Sequence, residues 1–186
     1  MAATVVMLII GLTFVYRIVP DIFFPFITGG YSSLNIPYYN ISEGDYLLAR
    51  TGVDNHTIIS RGTLVILHPA IIGNHQRYAA RSNQTTTGQI VGLPEEKIEI
   101  SKNVFIINGK PLDNEQYPVP EWLQGRTFST IIAKDKYFVS LRYNVQAHNI
   151  TLEDAYINQV CLVHTDDIEA TVFMRWLPLH KRGFLR

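Results

Sequence analysis

The chain opens on an unbroken apolar run and then changes to short apolar segments separated by polar ones. Ala2 to Tyr16 carries no charged side chain, and Arg17 is the only lysine or arginine before Arg50. At about 1.5 Å per helical residue this run reaches roughly 22 Å, short of the ~30 Å hydrocarbon layer, so a membrane helix here must draw in Ile18 and Val19. Pro20 and Pro25 interrupt the helix, and Phe23, Phe24 and Phe26 suit the aromatic zone where a chain leaves a bilayer. The pattern predicts an anchor and interfacial segment over 1–28 and a connector over 29–43. A cleaved leader would show a basic start and small residues at a cleavage point. Met1-Ala2-Ala3 has no base and Phe23-Phe24-Pro25-Phe26 is bulky, so retention is the expectation. A buried core helix of the same length is the competing reading.

From about residue 44 the periodicity is that of strands. Tyr46 to Leu48, Leu64 to Leu67, Ile90-Val91, Ile98 to Ile100, Val104 to Ile107, Tyr137 to Val139 and Thr171 to Met174 are strand-sized and rich in β-branched or aromatic residues. No stretch here holds helical spacing for three turns. The clearest local signal is Lys97 to Ile100, the turn Ser101-Lys102-Asn103, the run Val104 to Ile107, and Asn108-Gly109, a dipeptide suited to a type I′ hairpin turn. The fold class predicted for 44–186 is therefore mainly β, a compact domain behind one N-terminal transmembrane helix.

Composition removes several classes of function. The 186 residues are 47% apolar, and 16 basic side chains balance 16 acidic ones, so no basic field is present to hold a nucleic acid. The single cysteine, Cys161, excludes an internal disulfide and a multi-thiolate metal site, and it reads as a small buried hydrophobe in what looks like a core strand. His68, His75, His148, His164 and His180 with Asp166 and Asp167 show no ligand motif such as His-Glu-x-x-His. No metal and no cofactor are expected.

The order of the segments resembles the type I signal peptidase family, serine-lysine endopeptidases that include the mitochondrial inner-membrane peptidases. Gly44-Asp45-Tyr46-Leu47-Leu48 is similar to the strand after the family's nucleophile, and Arg61-Gly62 through Leu67-His68-Pro69 to the strand that follows. The most specific stretch is Ile90-Val91-Gly92-Leu93-Pro94, Lys97 to Ile100, and Ile106-Ile107-Asn108-Gly109-Lys110-Pro111-Leu112. Asp135 to Val139, and Asp167-Ile168 leading to Trp176-Leu177-Pro178, fall where the family has its Tyr-Phe-Val and closing Trp-Pro strands. Between Leu112 and Lys134 there is no room for the large second domain of some bacterial members.

That resemblance implies a serine hydroxyl whose proton passes to a neutral lysine amine. Neither group is found. The spacing to Gly44-Asp45 puts Ile36 in the serine's place, and matching Pro37 to the motif proline puts Leu34 there; Ser32 and Ser33 fit neither register. The lysine position is Gly88, four residues before Gly92, and no Lys, Arg or His occurs from Ser82 to Glu96. Where the family has Gly-Asp-Asn-Arg, this chain has Leu141-Arg142-Tyr143-Asn144.

The expected function is a catalytically inactive, single-pass membrane protein acting as an accessory subunit or assembly factor. An active peptidase with a divergent site is the alternative. The resemblance puts the β-domain on the extracytoplasmic or intermembrane-space side of a bacterial plasma or mitochondrial inner membrane. Expected partners are membrane lipid, other membrane-protein subunits and an extended peptide strand held by main-chain pairing, because a strand edge binds without side-chain chemistry. Trp176 to Arg186 alternates bulky apolar groups with cations, which suits anionic headgroups or an acidic protein face. Asn40, Asn55, Asn83 and Asn149 each begin an Asn-x-Ser/Thr triplet, a weak sign of an exported face.

Overall fold

The computed structural model describes residues 23–27, 41, 45–51, 53, 58–67, 86–141, 154–177 and 179–185. The anchor expected over Ala2 to Tyr16 lies outside these residues. Among the described residues no helix is long and apolar enough to cross a membrane.

Among the described residues twelve strands form two antiparallel sheets. They are β1 (Phe23–Ile27), β2 (Tyr46–Thr51), β3 (Leu64–Leu67), β4 (Thr86–Gly92), β5 (Lys97–Ser101), β6 (Val104–Ile107), β7 (Lys110–Pro111), β8 (Phe128–Ile131), β9 (Lys136–Leu141), β10 (Leu162–His164), β11 (Ile168–Leu177) and β12 (Gly183–Phe184), and an α-helix, α1, spans Asp154–Cys161. The larger sheet runs β1-β2-β11-β3-β4-β9-β10 with β12 on β11, and the smaller runs β7-β6-β5-β8. Every strand expected from the sequence is present. Phe23–Ile27, assigned from sequence to the interfacial segment, is itself a strand paired with β2, and Ile41 is buried beside Leu47, so the sheet takes in residues ahead of 44. Cys161 is the last residue of α1, buried with Ile157 on the helix's inner face, and the strand read at Leu162-Val163 begins directly after it as β10.

Both hairpin corners have the backbone that their sequences require. Asn108 and Gly109 have φ of 50° and 79°, the left-handed pair of a type I′ turn, and Asn108 Oδ1 accepts from the Lys97 amide at 2.9 Å. Lys102 and Asn103 adopt the same hand without glycine, and Asn103 Oδ1 accepts from the Gly125 amide at 2.7 Å, tying the turn to the 112–127 connection.

The core is divided by the sheets. On one face of the large sheet, Val65, Leu67, Ile90, Tyr137, Val139, Leu141, Val163 and Ile168 pack together. On the other, Leu47, Ala49, Leu64, Ile66, Ala170 and Val172 form a second cluster. The small sheet is joined by a third, in which Phe138 of β9 meets Phe105 and Phe128 with ring centroids 6.0 Å apart in each pair.

Asp45 and Arg175 are both buried, with Asp45 Oδ2 3.7 Å from Arg175 Nη1 at the β2-β11 junction. Removing one charge of a buried pair leaves the other desolvated, so Asp45→Asn is expected to destabilise the fold by about 3 kcal/mol. Urea denaturation of the wild-type and variant chains measures the difference.

Candidate functional site

The site that the sequence places at Gly88 lies in the middle of β4, between β3 and β9. Gly88 pairs with Val65 on one side and Leu141 on the other, so two neighbouring strands fix its position. Strand alternation turns Gly88 and Ile90 to the face lined by Val65, Val139 and Leu141, and turns Thr87 and Gln89 to the opposite face. A Cβ built on Gly88 would collide with Val139 Cγ1, and would stand 2.8 Å from Leu141 Cδ2 and 3.1 Å from the Ser140 carbonyl oxygen. The strand carries no side chain at this position, and adding one would require Val139 and Leu141 to shift.

The opposite face of β4 carries buried polar groups beside its apolar ones. Thr87, Gln89 and Ser140 are buried there, with Gln89 opposite Ser140 in register. Gln89 Nε2 donates to the Gln116 carbonyl at 3.2 Å, and Thr87 Oγ1 is buried with no hydrogen-bond partner. The Gln89 amide thereby ties the backbone at residue 116 to β4.

The remaining motif residues do structural work. Gly62, at φ 89°, donates its amide to the Ile90 carbonyl at 2.8 Å, and the Ile90 amide returns to Thr63 at 2.9 Å. Arg61 reaches from the same turn to the Val91 carbonyl and to Glu96 Oε1 at 2.6 Å. Glu96 Oε2 in turn accepts from the Leu93 amide at 2.7 Å, so the Gly92-Leu93-Pro94 corner is held from three directions. Gly92 abuts Phe138 and Ile132, where a Cβ would collide with Ile132 Cδ1. Leu34, Ile36, Ser32, Ser33, Gly44 and Pro69 lie outside the described residues.

His164 and Asp166, which show no ligand motif in the sequence, are joined in the structure by Asp135 from the loop before β9. His164 Nε2 is 2.9 Å from Asp135 Oδ2, while its Nδ1 accepts from the Asp166 amide at 3.1 Å. Accepting at Nδ1 puts the ring proton on Nε2, facing the Asp135 carboxylate. The Thr165 hydroxyl is committed to the Asp135 carbonyl at 3.3 Å. Cys161, the nearest thiol in sequence, is fully buried, and burial pushes its pKa well above the ordinary thiol range, away from a nucleophilic thiolate. The imidazole caps a turn at the β10 end. Among the described residues no three His, Cys, Asp or Glu side chains converge to hold a metal ion.

Neither a family model nor a curated protein matches the chain. A solved structure of a signal peptidase I from Enterococcus faecalis V583 is similar, with 15% sequence identity, a TM-score of 0.39, and coverage of 61% of this chain and 96% of that one. A likeness at this level carries no chemistry across. The local geometry does carry a consequence: Gly88→Ala forces a methyl into an occupied space and is expected to lower stability by about 1–3 kcal/mol. Urea denaturation reads the change, and an unaltered midpoint would mean that the space is open.

Proposed function

We propose that this chain is a membrane-anchored, signal-peptidase-like protein without peptidase activity, serving as an accessory subunit or assembly factor of a larger membrane complex. The single observation that supports the reading is the packing at Gly88, where Val139 and Leu141 occupy the space that a general base would need. A serine-lysine peptidase needs a neutral amine within hydrogen-bond reach of its hydroxyl, and a glycine packed against two aliphatic side chains offers none at this position. The apolar run from Ala2 to Tyr16 supports the anchor, and the resemblance in the Gly92-Leu93-Pro94 to Asn108-Gly109 stretch supports the family relationship. The extracytoplasmic or intermembrane-space side follows from that same resemblance. In this reading membrane lipid holds the N-terminus, and neighbouring subunits contact the β-domain through its strand edges.

Purified full-length chain in detergent is expected to leave a signal-peptide substrate intact and to take no label from a serine-directed phosphonate probe. Turnover or labelling that disappears in Ser32→Ala or Ser33→Ala would establish the active-peptidase alternative. Native mass spectrometry in mild detergent is expected to find the chain in a hetero-assembly, and a lone 21.2 kDa species would count against the subunit role.

A further inference from the structure

The edges of the two sheets are protected unequally. β1 has Pro25 at its centre, β7 has only Lys110 and Pro111, β12 is a two-residue strand, and β10 is three residues directly following α1. Prolines, charges and short length are the devices that keep an edge from recruiting another strand. β8, at four residues, has neither proline nor charge. Thr127 to Ala133 contains no proline, glycine or charge, and among the described residues β8 pairs only with β5.

Hydrogen bonding shows which groups of β8 face outward. The Ile132 amide donates to Glu96 and its carbonyl accepts from Glu95, at 2.9 and 3.0 Å, so Ile132 points toward β5. Alternation turns Thr130 and Phe128 the same way and leaves the amides and carbonyls of Ser129 and Ile131 on the outer side. Both residues are exposed, Ile131 to 70%. Charge decides the occupant. A second copy paired antiparallel through Ser129 and Ile131 would set its Lys134 opposite Arg126, and like charges face to face oppose that pairing.

We propose that β8 is a docking edge for an extended segment of a partner polypeptide, uncharged and β-branched at its centre with a carboxylate near each end. The main chain of that segment pairs with Ser129 and Ile131, an apolar side chain covers Ile131, and the carboxylates meet Arg126 and Lys134. The proposal rests on reading the chain as an accessory subunit that engages other polypeptides, and it names the surface used.

The test uses the full-length chain in detergent with a synthetic peptide of about nine residues, alternating valine and threonine between terminal glutamates. Hydrogen exchange resolved to single amides is expected to slow at Ser129 and Ile131 by about ten-fold or more at millimolar peptide, with Phe128 and Thr130 unchanged. Ile131→Pro removes an outward donor while sparing the bonds to β5, and is expected to weaken binding by about ten-fold; a lysine-ended peptide should bind the wild type more weakly as well. No protection at Ser129 and Ile131 in the unmodified chain, equal binding of the two peptides, or protection that rises with protein concentration alone would overturn the proposal. None of these readouts depends on turnover or on the native complex, so the edge and the subunit role fail separately.

Discussion

The close approach of β9 to β4 at Gly88 and Gly92 is the constraint on which the rest of the fold depends. β4 is buried on both faces, giving Ile90 to one core cluster and Val91 to another. A strand in that position must accommodate side chains from both neighbours. Val139 and Leu141 fill the space over Gly88, while Phe138 and Ile132 fill it over Gly92. Because interiors are packed as densely as organic crystals, no slack remains for a larger residue without displacing the aliphatic layer. The packing at Gly92, against Ile132, Phe138 and Ile98, is the part of this approach that joins the two sheets.

Stitching at the end of β4 transmits this constraint to the smaller sheet. Arg61 joins the Val91 carbonyl to Glu96, and Glu96 returns to the Leu93 amide, so the turn into β5 leaves the large sheet in a fixed direction. The Glu95 and Glu96 backbones then bond to Ile132 beyond β8. Phe138 completes the join by standing between Phe105 and Phe128. The 112–127 connection closes the far side: Tyr117, Val119 and Leu123 enter the same core, and Trp122 Nε1 donates to the Leu141 carbonyl at 2.8 Å at the end of β9.

Several polar groups in this frame, buried or half-buried, hold parts together. The Asp45 and Arg175 pair sits where β2 meets β11, Gln89 fastens the residue 116 backbone to β4, and His164 caps the turn after β10 through its Nδ1. The buried thiol of Cys161 is held protonated by its apolar surroundings. The described domain is thus rich in structural polar contacts. Its least protected chemistry is the main chain of the β8 edge.

Several elements were legible in the sequence because their cause is local. The alternation of Lys97 to Ile100 and the left-handed preference of Asn108-Gly109 specify a hairpin whatever surrounds them, and the absence of a side chain at Gly88 is a fact of composition. Other elements formed where no local signal marked them. Phe23–Ile27 reads as bilayer boundary until β2 offers it a partner, Phe128–Ile131 becomes a strand through pairing with β5, and Cys161 belongs to a helix whose inner face alone is apolar. Sequence by itself determined the mainly β class, the hairpin turns and the bare backbone at Gly88, since these follow from side-chain identity and short-range backbone preference. Only the tertiary structure decided that Val139 and Leu141 occupy the space beside Gly88 and that β8 stands at an edge, because both depend on which distant strands become neighbours.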